Sequence, residues 1–338
     1  MSEKSEYKYF LIYPETHKHL GLFQDLSNNT NVEMIVAQQK MPRTKLLKAI
    51  KRLHVSWTIN KHIPLPFKSI WYKKITIDIP QSQKCCVIVV DGALKMLKIG
   101  YLNSLFKKKN VRGVLVLVNS MDAQSIAILE TKKMIPKVNW DDVYTFDCED
   151  SKKYNYKNLG CCYYSMHDVE KIKKSYSNIP NSDVYFTGTI KGGREQLIMS
   201  VFEKLNTANV NCNFNIMITG TRRLKQNMHS DIIRYYSGGW IPYEEVLANV
   251  INSDVILEVL QEGQSGPSLR YYEAICYNKR LLTNNPNIVN FPYYDERFMR
   301  IFNNADDVDV QWIKNKQFVD YGYKGEFSPI GLLGTVIK

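Results

Sequence analysis

Apolar runs and amphipathic stretches alternate along the whole 338-residue chain. In the first half YKYFLIY (7–13), NVEMIVA (31–37), CCVIVVDG (85–92) and VRGVLVLVNS (111–120) read as strands. The last two are unbroken apolar runs, the pattern of strands covered on both faces. Between them 43–54, 94–108 and 122–134 carry helical spacing, and Asp122 is placed to cap the last. A short strand, VYTFD (143–147), follows the break at Pro136. Residues 148–180 have no clear period and read as the passage between domains, with a helix at 167–174 inside it. The alternation then restarts. DVYFTG (183–188) is a strand and 194–206 a helix. NFNIMITG (213–220) is a strand, and 242–253 is a helix with Pro242 in its first turn. SDVILEVL (253–260) is a strand, a helix follows Ser268, and RLLTNN (280–285) is a strand. Ser328 begins a final short helix. Strands alternating with helices predict a parallel sheet dressed with helices, here twice over. The expected fold is therefore α/β, with two Rossmann-like domains facing a central cleft. The boundaries fall at 1–160 and 161–315, with a tail, 316–338, that returns to the first domain.

Composition narrows the class. With 44% apolar and 23% charged residues, the chain has the make-up of a globular protein. No run of about 18 apolar residues can cross a bilayer, and the polar MSEKSEYKYF lacks a signal-peptide core. Both place the chain in the cytosol. The seven cysteines are odd in number and form no CxxC or Cys/His spacing, so they read as small apolar fillers with no metal site.

Charge adds a partner. The net charge is +12, and it is uneven: 1–150 hold 23 basic against 14 acidic side chains. Between Lys40 and Lys74 there are ten Lys or Arg and no Asp or Glu. Within it, Leu46, Leu47, Ile50, Leu53 and Trp57 recur at near-helical spacing, interleaved with Lys45, Lys48, Lys51 and Arg52. Such a helix fits an anionic membrane surface, or an acceptor attached to one. It equally fits an ordinary helix with its apolar side in the core. A nucleic-acid-binding protein is the alternative that a basic, tyrosine-rich chain suggests. No helix-turn-helix, RRM or zinc pattern supports it, and nucleic acid is not an expected partner.

Two glycine turns carry the candidate chemistry. GTIKGGREQL (188–197) lies between a strand and a helix. Gly188 and its neighbours let a ligand approach the backbone, while Lys191 and Arg194 bring positive charge to a helix N-terminus, as a diphosphate requires. The spacing is neither GxxxxGK[ST] nor GxGxxG, and an ordinary turn before a basic helix also accounts for it. EGQSGPSLRYYE (262–273) is the second. Gln264, Ser265 and the backbone at Gly266 are placed to donate to phosphate oxygens. Glu273, inside the following helix, is placed to accept paired ribose hydroxyls, or simply to face solvent.

SDVYFTGTIKGGREQLIMSVFEKL and IPYEEVLANVINSDVILEVLQEGQSGPSLRYYEAICYNKRLLTNN together resemble the nucleotide-sugar domain of bacterial glycosyltransferases that build capsular and lipopolysaccharide chains. The resemblance implies the GT-B fold and transfer from a nucleotide-diphosphate sugar, UDP favoured, to a saccharide or lipid-linked saccharide. The donor is a substrate; no cofactor and no metal is implied. It further implies that Gly188, Lys191 and Arg194 meet the diphosphate and that Ile241 and Tyr243 lie beside the base. Gln264, Ser265 and Gly266 would close over the phosphates, and Glu273 would hold the ribose. Relatives commonly read Gly-Leu-Thr where this chain has Gly266-Pro267-Ser268, and proline removes one donor. The Glu-x7-Glu spacing of many retaining members is absent, so this motif carries no stereochemistry. An enzyme of this class on a lipid-linked acceptor would work at the inner face of the cytoplasmic membrane. A nucleotide-sugar epimerase or a glycerophosphotransferase on the same fold is the other reading.

Sugar transfer also needs a base for the acceptor hydroxyl. Asp91, which ends the strongest strand of the first half, is the first candidate, and a helix cap is its plainer role. Asp122, Asp147, Asp150, Glu15, His17 and His19 stand behind it.

Overall fold

Every strand pairing among the described residues is parallel. The computed structural model describes residues 7–338 except 61, 64, 123–125, 162, 190–193, 219–232, 238–240 and 261–263. The chain divides into two units. The first is Met1–Ser165 with Phe327–Lys338, and the second is Met166–Glu326.

The first unit is built on a six-stranded sheet in the order β2-β1-β3-β4-β5-β6. Its strands are β1 (Tyr7–Pro14), β2 (Val32–Ala37), β3 (Lys84–Val90), β4 (Val111–Leu117), β5 (Asp142–Thr145) and β6 (Lys157–Asn158). Its helices are α1 (Glu15–His19), α2 (Lys45–His54), α3 (Trp57–Asn60), α4 (Asp91–Leu94), α5 (Ile99–Phe106), α6 (Ile126–Met134) and α7 (Cys148–Tyr154). The unbroken apolar runs of β3 and β4 are buried as their composition requires: Val87, Val89, Leu115 and Leu117 pack with Leu102 and Leu105 of α5. Each such side chain contributes about 1.5–3 kcal/mol on burial.

The second unit repeats the plan with the order β12-β11-β10-β7-β8-β9. Its strands are β7 (Ser182–Thr189), β8 (Cys212–Ile218), β9 (Ile233–Ser237), β10 (Ser253–Glu258), β11 (Arg280–Thr283) and β12 (Met299–Ile301). Its helices are α8 (Val169–Ser175), α9 (Glu195–Thr207), α10 (Tyr243–Ile251), α11 (Leu269–Cys276) and α12 (Val310–Lys314). Val184, Phe186, Phe214, Val255 and Leu257 meet Ile198, Val201 and Phe202 of α9 in one core. Counted from β7, this is the strand order of a dinucleotide-binding domain. α13 (Ile330–Thr335) lies in the first unit. Tyr164 N–H donates to Phe327 O at 2.8 Å, and Arg112 Nε donates to Val336 O at 2.8 Å.

Two local expectations change. The helix expected over 94–108 is two, α4 and α5. Met96 N–H and Leu97 N–H turn back onto Ala93 O and Leu94 O and close the first. The helix expected over 122–134 is described as Ile126–Met134, with 123–125 outside the described residues, and Asp122 pairs with Lys153 at 2.9 Å and Lys132 at 3.4 Å. Pro329 takes the N-cap position of α13, and the Ser328 hydroxyl donates to Asp25 Oδ2 at 2.6 Å. The short edge strands β6 and β12 and the strand β9 are not marked by any long apolar run.

Candidate functional site

In a parallel α/β sheet, ligands sit beyond the strand C-termini, where the strand order reverses. In the second unit that point lies between β7 and β10, from which the chain runs to β8 on one side and to β11 on the other. Arg194, at the N-cap position of α9, spans it. Its Nε donates to Thr189 O at 2.8 Å, at the end of β7, and its Nη1 to Val259 O at 2.6 Å, just past β10. The guanidinium is thus committed to main-chain carbonyls, where the sequence placed it on a phosphate. Burial lowers its pKa to about 10, so it stays charged at neutral pH. Gly188 makes room for it: a Cβ there would lie 3.1 Å from Arg194 Nη2 and 3.0 Å from the Phe186 ring. α9 starts at this point with no side-chain cap. Lys191 lies outside the described residues.

The second glycine turn follows β10. Gln264, Ser265 and Gly266 lead to Ser268, the N-cap of α11, whose Oγ accepts from Arg270 N–H at 3.1 Å. The turn is held by an asparagine-rich segment after β11. Asn284 Oδ1 accepts from Leu260 N–H at 2.7 Å. Asn285 and Asn287 amides donate to Gly266 O and Ser265 O at 3.4 and 3.3 Å. Sequence reasoning overlooked this brace; the signal was the run of asparagines directly after an apolar strand. Glu258, the last residue of β10, is buried and accepts from the hydroxyls of Ser268 and Thr283. Burial raises its pKa, and the two hydroxyls oppose the shift.

Glu273 has 0% exposure. Its Oε1 accepts from the Tyr243 hydroxyl at 2.7 Å, and Arg270 Nη1 lies 2.6 Å from its Oε2. Burial pushes its carboxyl up to about 7, against the pull of Arg270 and the Tyr243 hydroxyl. The solvent-facing role left open by the sequence is overturned, and the carboxylate assigned to a ribose is engaged inside the fold. Tyr243 opens α10 behind Pro242, stacks edge-on against His167 with centroids 5.5 Å apart, and lies next to buried Ile241. The structure therefore brings buried Glu273, Tyr243 and Glu258 together with half-buried Arg270 and Ser268 under the second turn.

In the first unit the strand order reverses between β1 and β3. A cavity of about 830 Å³ opens there, lined by Glu15, His17 and His19 after β1, Gly92 and Lys95 after β3, and Asn119 after β4. A Cβ on Gly92 would lie 2.9 Å from Pro14 Cγ, so glycine lets the end of β1 close on α4. Asp91 lies behind this wall at 1% exposure. Its Oδ1 accepts from Gly92 N–H at 2.6 Å and its Oδ2 from Asn119 Nδ2 at 3.0 Å. Burial raises its pKa to about 6 against those bonds. Asp91, the leading base candidate of the sequence, is therefore a buried carboxyl held in the wall of this cavity by two hydrogen bonds. Asp147 caps α7, Asp150 Oδ2 accepts from Met121 N–H at 2.7 Å, and Asp122 is ion-paired, so these acids too have structural work. Glu15, His17 and His19 are the members of the candidate group that line the cavity. Burial lowers the His17 pKa to about 4, which keeps the imidazole neutral at pH 7.

The basic helix α2 buries none of its residues, which overturns its core-facing reading. Lys45, Lys48 and Arg52 are exposed, and Lys51 Nζ donates to Lys40 O at 3.0 Å. Trp57 opens α3, its side chain outside the described residues. Among the described residues no group of three His, Cys, Asp or Glu is placed to hold a metal ion. None of the described helices is long and apolar enough to cross a membrane.

No family model matches this chain, and no curated protein matches it in sequence. Solved structures do match in fold. An α,α-trehalose-phosphate synthase (UDP-forming) from Burkholderia vietnamiensis is 8% identical, with TM-score 0.53 over 90% of this chain and 89% of its own. UDP-GlcNAc 2-epimerase from Neisseria meningitidis, bound to UDP-GlcNAc, is 11% identical, with TM-score 0.51 over 98% and 100%. An α-glucosyltransferase in complex with UDP-glucose and DNA containing an abasic site is 10% identical, with TM-score 0.51 over 98% and 100%. The likeness is one of fold: two Rossmann-like α/β domains, the GT-B class.

Proposed function

We propose that this chain transfers a sugar from a nucleotide-diphosphate sugar, UDP favoured, to a saccharide or lipid-linked saccharide in surface polysaccharide synthesis, such as capsule or lipopolysaccharide. The observation that carries the reading is the β7/β10 reversal point: a dinucleotide-type strand order, a helix start whose N-cap residue makes no side-chain cap bond, a half-buried guanidinium and a braced glycine turn meet there. Such a place binds a diphosphate through main-chain N–H groups and helix termini. Three solved structures of this fold, by their descriptions, form UDP or hold a UDP-sugar, which supports the choice of donor.

In this reading the main chain at Ser265 and Gly266, together with Gly188 and Lys191, receives the diphosphate. Arg194 acts by pinning the strand ends and by its charge, and stabilises the leaving nucleotide without a metal. Ile241 and Tyr243 wall the base. Glu273 holds Tyr243 in place and meets the ribose when that hydroxyl yields. The acceptor occupies the cavity of the first unit, where Glu15 or neutral His17 takes its proton. A thermal-shift panel of UDP, GDP, CDP and their sugars tests the donor half. A shift with one nucleotide family supports it; no shift with any of them overturns it.

A second reading is a nucleotide-sugar epimerase, favoured by the epimerase structure aligned over 98% of this chain. It predicts conversion of the donor sugar with no acceptor present, whereas the transferase predicts nucleotide release that depends on one.

A further inference from the structure

The segment between β2 and β3 has its polarity inside out. Within the first unit it leaves the sheet through a closed neck: Lys40 N–H donates to Trp71 O at 2.7 Å, Lys73 N–H donates to Gln38 O at 3.0 Å, and Trp71 and Tyr72 are buried. Beyond the neck the buried centre is polar. Asn60, 1% exposed, donates to His54 O and Ser56 O at 2.9 and 2.8 Å and accepts from Leu65 N–H at 3.0 Å. His54 completes the frame, with Nδ1 accepting from Trp71 Nε1 at 2.8 Å and Nε2 2.5 Å from Pro66 O. Most of the large aliphatic side chains are outside, with Val55, Ile59 and Leu65 half-buried. Of twelve large hydrophobic residues exposed among the described residues, eight lie between Met41 and Ile70. Met41 is 80% exposed, Leu46 71% and Phe67 78%. Phe67 also has φ of 60°, a conformation that bulky residues seldom adopt. On α2, Leu46, Ile50 and Leu53 share one helical stripe with Leu47 beside it, and Lys45, Lys48, Lys51 and Arg52 fill the opposite side. The ten cationic residues from Lys40 to Lys74 include no acidic neighbour in sequence. Among them Lys68 is paired, to Glu130 at 2.6 Å.

We propose that this excursion docks the protein on an anionic lipid surface, with the α2 stripe and Phe67 entering the acyl boundary and the flanking Lys and Arg meeting lipid phosphates. A bilayer is the partner whose chemistry takes both halves of this face, apolar depth below and negative charge at the rim. Nucleic acid would satisfy the charge and leave the aliphatic stripe in water. A second copy would cover the stripe and set like charges against each other. The inference does not depend on the sugar-transfer reading, and its test involves no nucleotide.

The test is co-sedimentation of the full chain with vesicles of phosphatidylcholine alone and of phosphatidylcholine with phosphatidylglycerol. Binding is expected to the anionic vesicles and to weaken with salt. Leu46→Ser with Ile50→Ser and Leu53→Ser is expected to cost at least a hundredfold in partitioning, since each buried aliphatic side chain is worth roughly tenfold. Lys45→Ser with Lys48→Ser and Arg52→Ser is expected to cost about a hundredfold, at roughly fivefold per cation. Neither set removes a buried contact, so unchanged thermal unfolding shows that the fold is intact. Failure to bind anionic vesicles, or binding indifferent to the aliphatic set, overturns the proposal. So does a duplex nucleic acid held more tightly than the vesicles, or a concentration-dependent dimer that the aliphatic set dissolves.

Discussion

The buried Glu273 carboxyl makes the stability of the chain depend on pH in a direction opposite to most carboxylates. Its pKa is pushed from the ordinary 4.5 to about 7 by burial. Between those values the folded chain holds a proton on Glu273 that the unfolded chain has released. Stability contributed by this group is therefore complete below pH 4.5 and is lost as pH rises towards 7. The size follows from 1.36 kcal/mol per pH unit, or about 3 kcal/mol across the window. Glu273→Gln keeps an oxygen to accept the Tyr243 hydroxyl and has nothing to titrate. Urea unfolding of both proteins at intervals from pH 4.5 to 7.5 reads the difference. The wild type is expected to lose about 3 kcal/mol relative to the variant as pH rises. A difference that stays constant, or grows in favour of the wild type, refutes the assignment of a buried, proton-holding carboxyl.

Other consequences follow from the same geometry. Gly188→Ala puts a methyl against the Arg194 guanidinium and the Phe186 ring and is expected to cost about 1–3 kcal/mol, with weakened donor binding by calorimetry. His17, depressed to about 4, should make the wild type lose stability as pH falls from 6.5 to 4, and His17→Gln should flatten that limb in acid-unfolding curves. Asp91→Ala removes the acceptor of the half-buried Gly92 N–H and of the exposed Asn119 amide and should destabilise by about 1–3 kcal/mol in denaturant titrations. A fully stable Asp91→Asn protein that no longer transfers sugar, yet binds donor normally, would return Asp91 to the role of base.

The strands were plain from the residues because a parallel sheet buried on both faces demands apolar runs, and 85–90, 114–117 and 255–257 are such runs. β6, at two residues, and β12, at three, are too short to leave a period. The close approach at Gly188 was legible because it needs glycine in any context, while 190–193 and 261–263 of the two glycine segments lie outside the described residues. Where the side chains beside them point was not legible, because that is settled by distant partners. Arg194 reads as a phosphate ligand, and its bonds to Thr189 O and Val259 O could not be read from the sequence. Asp91 reads as a base, and its burial and its bond to Asn119, 28 residues away, could not be read from the sequence. The exposure of α2 also lay beyond sequence reasoning, since its spacing serves a protein core and a lipid surface alike.

The central claim is that the second unit binds a nucleotide-diphosphate sugar at the reversal point of its sheet. A crystal structure of the chain with a UDP-sugar tests it most directly. The account predicts the diphosphate against the main chain of Ser265 and Gly266, at the ends of β7 and β10, with the uracil beside Ile241 and Tyr243. A nucleotide bound anywhere else on the chain would contradict it.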